Sequence, residues 1–104
     1  MGCNTLNIIV EKNEINNFLV EEIHEDNDFY IKISGLIMHS AYVYNKIETN
    51  ESFDGLNILL YGSFFKKGKG ASATFDVKIH IKNNINIVYF GRGQIKIWER
   101  NNYE

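Results

Sequence analysis

From Asp28 onward the chain alternates apolar and polar side chains with a period of two, and that rhythm leaves little room for anything but a sheet. Between Asp28 and Met38, Phe29, Ile31, Ile33 and Ile37 share one face while Lys32 and Ser34 take the other. Ala41, Val43 and Ile47 alternate with Tyr42, Tyr44 and Lys46, and Phe75, Val77, Ile79 and Ile81 alternate with Asp76, Lys78, His80 and Lys82. Leu56 to Phe65 is apolar at both parities, as suits a central strand. In the last run, Ile85 to Arg100, the residues Ile85, Ile87, Tyr89, Ile95 and Ile97 share one parity. Successive side chains of a strand point to opposite faces, so each alternating run predicts a strand with one buried face.

Turn chemistry punctuates the same runs. Asn83-Asn84 falls between two of them and suits the positive φ of a two-residue hairpin. Asp54-Gly55 and the stretch from Lys66 to Gly70 mark two further turns. Gly91 and Gly93 lie inside the last run, which would span about 53 Å at ~3.3 Å per residue if straight. A bulge or sharp bend is therefore expected there rather than a break. One segment departs from the rhythm: Ile15, Phe18, Leu19 and Ile23 follow helical spacing, with Asn13 as N-cap and Glu14 in the first turn. A helix is predicted over residues 14–24, with a strand over Phe18 to Ile23 as the other reading. The expected fold class is α+β: a strongly bent, mainly antiparallel sheet of about six strands with one N-terminal helix packed on it.

A chain of 104 residues with 44% hydrophobic and 23% charged side chains reads as one β-rich domain over residues 1–104. Such a chain buries roughly two thirds of its unfolded surface and needs neither disulfide nor metal to fold. The single cysteine, Cys3, forms no bridge within the chain, which fits a reducing cytosol. The apolar run Ile8-Ile9-Val10 is too short for a signal-peptide core or a membrane span, and Leu6 stands where a myristoylation motif wants Ser or Thr. A cytoplasmic protein is expected.

Familiar catalytic and cofactor patterns fail on spacing. Gly62 and Gly68 are separated by five residues, and Lys69 is followed by Gly70, which departs from a phosphate-binding loop. Gly91-Arg92-Gly93 lacks the third glycine of a dinucleotide fingerprint. His24, His39 and His80 sit on separate elements without metal-ligand spacing. A nucleophilic role for Cys3 would need a histidine brought close by folding. The carboxylates from Glu21 to Asp28 read as a solvated flank rather than an acid–base pair in a cleft. The expectation is a non-enzyme with no cofactor and no metal.

Charge is the most informative feature. The total of −2 hides ten acidic side chains against three lysines in residues 1–54, a net −7, and eight basic against three acidic in residues 55–104, a net +5. Such asymmetry speaks to partners rather than fold. The acidic half concentrates at Glu21, Glu22, Glu25, Asp26 and Asp28 and again at Glu48, Glu51 and Asp54, close in pattern to Tyr30, Tyr42 and Tyr44. Acidic groups around tyrosines suit a basic protein partner, because charge steers association and aromatics supply affinity. With Tyr42 and Tyr44 these eight acids form the expected partner-binding set.

The basic half supports a rival reading. Lys78, His80 and Lys82 share one parity, and Phe90, Arg92, Lys96, Trp98 and Arg100 share a face of the following run. Cations interleaved with aromatics resemble a platform for single-stranded nucleic acid. On this alternative Lys78, Lys82, Phe90, Arg92, Lys96 and Trp98 form the binding face. The lack of an RNA-binding signature motif and an isoelectric point near 5.9 weigh against it.

Taken together, the acidic run Glu21 to Asp28, the tyrosine-bearing segment at Tyr42 and Tyr44 and the compact β-rich body ending at Trp98-Glu99-Arg100 resemble the small bacterial immunity proteins of contact-dependent growth-inhibition systems. The resemblance spans the chain and lies in size, composition and architecture. It implies a cytoplasmic non-enzyme that binds a cognate toxin domain, often a basic nuclease, and occludes its active site. The basic C-terminal half departs from the strongly acidic nuclease inhibitors.

Overall fold

The computed structural model describes residues 7–38, 42–53, 55–64 and 73–100. These form eight strands: β1 (Asn7–Val10), β2 (Ile15–Glu25), β3 (Asp28–Ile37), β4 (Tyr42–Glu51), β5 (Gly55–Phe64), β6 (Thr74–His80), β7 (Ile87–Phe90) and β8 (Ile95–Glu99). A single 3₁₀ turn, Lys12–Glu14, separates β1 from β2. β2, β3 and β6 make one antiparallel sheet in the order β2-β3-β6. The second sheet is built on β5. β4 runs along one of its edges, while β1 and β7 share the other, pairing with Leu60 to Ser63 and Gly55 to Ile58 respectively. β8 then closes on β7. Every pairing is antiparallel except β5 with β7.

The two sheets face each other across one apolar core. Ile31, Ile33, Phe75 and Ile79 from the three-stranded sheet meet Leu56, Ile58, Leu60, Val88 and Phe90 from the other, all buried. Ile81 and Ile85, each 1% exposed, carry the chain from one sheet to the other. The period-two expectation therefore holds from β3 to β7.

The expected α+β fold with an N-terminal helix does not. Residues 15–25 form the longest strand among the described residues. The helical spacing of Ile15, Phe18, Leu19 and Ile23 comes from a β-bulge. The register against β3 shifts between Asn16 and Leu19, where Asn17 takes φ 57°. One extra residue turns Phe18 and Val20 to the core side with Ile15 and leaves Leu19 and Ile23 on the outer side. A bulge thus places apolar residues at intervals that a helix would also produce. Asn13 caps nothing; it lies inside the 3₁₀ turn, whose Glu14 N–H donates to Glu11 O at 2.9 Å.

Two turns also differ from expectation. The last run does not bend but reverses: residues 91–94 form a tight turn, with Gly91 at φ 82° and Gln94 at φ 50°, and split it into β7 and β8. Asn83-Asn84 is not a hairpin. It is a turn closed by Ile85 N–H to Lys82 O at 3.0 Å, across which the chain leaves β6 and changes sheet. The single bent sheet is therefore two sheets. Asp54 and residues 66–70 lie outside the described residues, although Gly55 O accepts from Ser52 N–H at 2.9 Å beside that turn.

Candidate protein-binding site

The charge segregation of the sequence does not survive folding. β6, from the basic half, lies beside β3, so its cations stand among the acids of the β2–β3 hairpin. On the outer face of that sheet Lys32 lies between Glu21 at 3.5 Å and Asp76 at 3.6 Å. Lys78 meets Glu25 at 3.2 Å and sits 4.6 Å over the Tyr30 ring. His80 faces Asp28 at 3.3 Å. The neighbouring carboxylates of Asp76 and Glu21 hold the Lys32 ammonium above the ordinary lysine range. The outer face mixes acids and cations, in place of an acidic surface opposed to a basic one.

The remaining acids of the expected partner-binding set are dispersed. Glu48 lies on the outer face of the other sheet, 3.2 Å from Lys46 and beside Tyr61. Burial, helped by a hydrogen bond to Glu48, raises the Tyr61 phenol above its ordinary value. Glu51 pairs with Lys82 at 3.0 Å. Tyr44 is not an outer residue: it packs against the core, its ring 6.3 Å from Phe75. Tyr42 is half-buried opposite Phe64. Asp26 occupies the β2–β3 turn at φ 55°, and Asp54 falls outside the described residues.

The alternative nucleic-acid face is likewise split. Phe90 is fully buried in the core and presents no ring to a base. Lys96 pairs with Glu99 at 2.8 Å on the outer side of β8, and that carboxylate raises its pKa. Arg92 belongs to the 91–94 turn, while Lys78 and Lys82 sit near the other sheet's margin with Glu25 and Glu51. These cations form no continuous track.

What folding does bring together is one residue from each set. Trp98, on the inner parity of β8 opposite Val88, donates its indole N–H to Glu22 Oε2 at 2.7 Å. Around this contact the end of the sandwich opens into a cleft of about 210 Å³ lined by Glu22, His24, Phe29, Trp98 and Arg100. The Asp26-Asn27 turn sets His24 opposite Phe29, with ring centroids 4.8 Å apart. Phe29 in turn lies 5.4 Å from the Trp98 ring. The Arg100 guanidinium stacks on both, 5.7 Å from Phe29 and 5.4 Å from Trp98. It is held there by donating to Ile85 O at 2.8 Å and Lys82 O at 3.3 Å, so it also clasps the sheet-switching turn.

Phe29, His24 and Arg100 were not expected at a shared site. Phe29 reads as a core residue by parity. The signal that could have found it is Asp26-Asn27 as a two-residue turn, which fixes the pairing of His24 with Phe29. Nothing in the sequence shows that β8 lies over this hairpin. Among the described residues no group of three or more His, Cys, Asp or Glu side chains could hold a metal ion, and no helix is long and apolar enough to cross a membrane. Cys3 and His39 lie outside the described residues. In comparisons with known proteins the chain matches no family model, no curated protein and no solved structure.

Proposed function

We propose that the chain is a cytoplasmic, non-catalytic inhibitor of the immunity type, which binds a cognate toxin domain and occludes its active site with the end of the sandwich at the β2–β3 hairpin. The observation that carries this reading is the half-exposed cleft in which Trp98, Phe29, His24, Arg100 and Glu22 converge. Tryptophan and arginine are the residues most enriched where binding energy concentrates, and a rigid aromatic cluster loses little entropy on binding. The clefts of an enzyme need a nucleophile or an acid–base pair in contrasting environments. Here the Glu22 carboxylate is held by the Trp98 indole, with exposed His24 Nε2 3.8 Å away, and the guanidinium by two carbonyl oxygens, an arrangement suited to presenting a shape.

The interleaved charges alter the manner of recognition. A face of mixed, mutually paired charges produces little long-range field, so affinity rests on the aromatic cleft more than on attraction to a basic partner. The test is co-expression with the C-terminal domain of a large exoprotein encoded immediately upstream. The reading predicts growth protection and a co-purifying complex that Trp98→Ala abolishes and Glu48→Lys leaves intact. No such gene, no complex, or a complex indifferent to Trp98→Ala contradicts it.

A further inference from the structure

Four strands of more than four residues lie at sheet edges among the described residues: β2 and β6 in one sheet, β4 and β8 in the other. Three of them carry an irregularity. β2 bulges at Asn17, β4 between Tyr44 and Lys46, and β8 at Ile97, where Val88 pairs with Trp98 but Tyr89 with Lys96. Bulges twist an edge and hinder its pairing with another chain. β6 alone is regular over its whole length.

The hydrogen-bond phase of β6 follows from its two ends. Ile81 N–H donates to Phe29 O, and Ala73 O accepts from Ile37 N–H, both at 2.9 Å. Odd-numbered residues therefore bond to β3, and Asp76 and Lys78 turn their N–H and C=O groups to the open edge. Their side chains stand on the outer face, 64% and 41% exposed. Lys78 is also directly opposite Lys32 on β3, a like-charge pairing that disfavours the sheet.

We infer that β6 pairs antiparallel with β6 of a second copy of this chain about a two-fold axis at Val77, joining two three-stranded sheets into one of six strands. In that register Asp76 falls opposite Lys78 of the second copy and Lys78 opposite its Asp76, each pair closing two backbone hydrogen bonds. Lys78, which faces a lysine on one side, then faces a carboxylate on the other. Phe75 falls opposite Ile79 of the second copy and Val77 opposite its own equivalent, so the inner faces are apolar on both sides of the axis. β2 fails the same operation because its charged residues are Glu21, Glu22 and Glu25 with no cation to oppose them. Strand pairing alone buries a small area, so the dimer is weak and concentration-dependent.

Sedimentation equilibrium across the micromolar range tests the association, independently of what the hairpin end binds. The wild-type chain is expected to dimerise reversibly. Asp76→Lys or Lys78→Asp alone should raise the dissociation constant at least tenfold, and the double variant Asp76→Lys/Lys78→Asp should restore it. In a Cys3→Ser background, Val77→Cys should cross-link under mild oxidation, since a non-hydrogen-bonded pair has Cα atoms about 4.5 Å apart, within disulfide reach. A wild-type chain monomeric throughout, single variants that dimerise as wild type, a double variant no tighter than the single ones, or the absence of the Val77→Cys cross-link overturns the inference.

Discussion

Trp98 of the last strand donates its indole hydrogen to Glu22 of the first hairpin across 2.7 Å, joining residues 76 positions apart. The contact ties the two sheets at their open end, where the buried core gives way to solvent. Trp98→Phe keeps the aromatic stack on Phe29 and removes only the donor. Because the site is partly exposed, the loss should be about 1 kcal/mol. Trp98 is the only tryptophan of the chain, so its emission reports this end of the sandwich. Glu22→Gln should shift that emission, and unfolding in urea should show the same small destabilisation.

A second long-range contact fixes the 91–94 turn. The Glu11 carboxylate accepts from Arg92 N–H at 3.1 Å and Gly93 N–H at 3.5 Å, while Gly91 N–H donates to Ile58 O at 2.8 Å. Gly91 has φ 82°, and a Cβ there would collide with the Glu11 carboxylate. Gly91→Ala should cost about 1–3 kcal/mol from backbone strain and crowding together. Glu11→Ala removes the crowding but not the strain. The double variant should therefore be less destabilised than the sum of the single ones, which thermal unfolding of the four proteins would measure.

Stability should fall in alkaline solution. Lys32 is held charged by Asp76 and Glu21, so its folded pKa exceeds its unfolded one. The contribution is complete below the unfolded value and disappears as pH rises through the folded one. Tyr61 acts in the same direction: burial raises its pKa, so the folded state keeps a proton that the unfolded chain releases. Denaturant midpoints should be flat around neutrality and decline above about pH 10. Lys32→Met combined with Tyr61→Phe should flatten that decline.

Neutralising a charge on the outer face should do little to stability. Glu21, Glu25 and Asp28 form solvent-exposed contacts with Lys32, Lys78 and His80, and screening by water leaves such surface pairs little net effect on stability. Glu25→Gln is expected within about 0.5 kcal/mol of wild type by urea unfolding, with the difference shrinking further in high salt.

The alternation that runs from Phe29 to Phe90 made most of the strands legible, because one buried face imposes period two whatever the topology. Three things escaped it. Asn17 hides a strand behind helical spacing, since a bulge inserts the one residue that converts period two into an apparent i, i+3 step. A far-UV circular dichroism spectrum with a single β-type minimum would distinguish the two directly. Asn83-Asn84 could be recognised as a turn but not as a change of sheet, which depends on Ile81 and Ile85 both being buried between layers. The meeting of Glu22 with Trp98 depends on β8 lying beside the β2–β3 hairpin, a relation between distant elements that no local pattern encodes. A different long-range relation undoes the reading of two oppositely charged halves: the pairing of β6 with β3 sets its cations among the acids of β2 and β3.

The cleft around Trp98 is the proposed binding surface. The most direct measurement is calorimetric titration of the proposed partner, the C-terminal domain of any large exoprotein encoded next to this chain, with the wild-type chain and with Trp98→Ala, Glu25→Lys and Glu48→Lys. A tight wild-type complex weakened at least tenfold by Trp98→Ala, with Glu25→Lys and Glu48→Lys close to wild type, is the predicted result. A complex unaffected by Trp98→Ala but lost on reversing either carboxylate would contradict it.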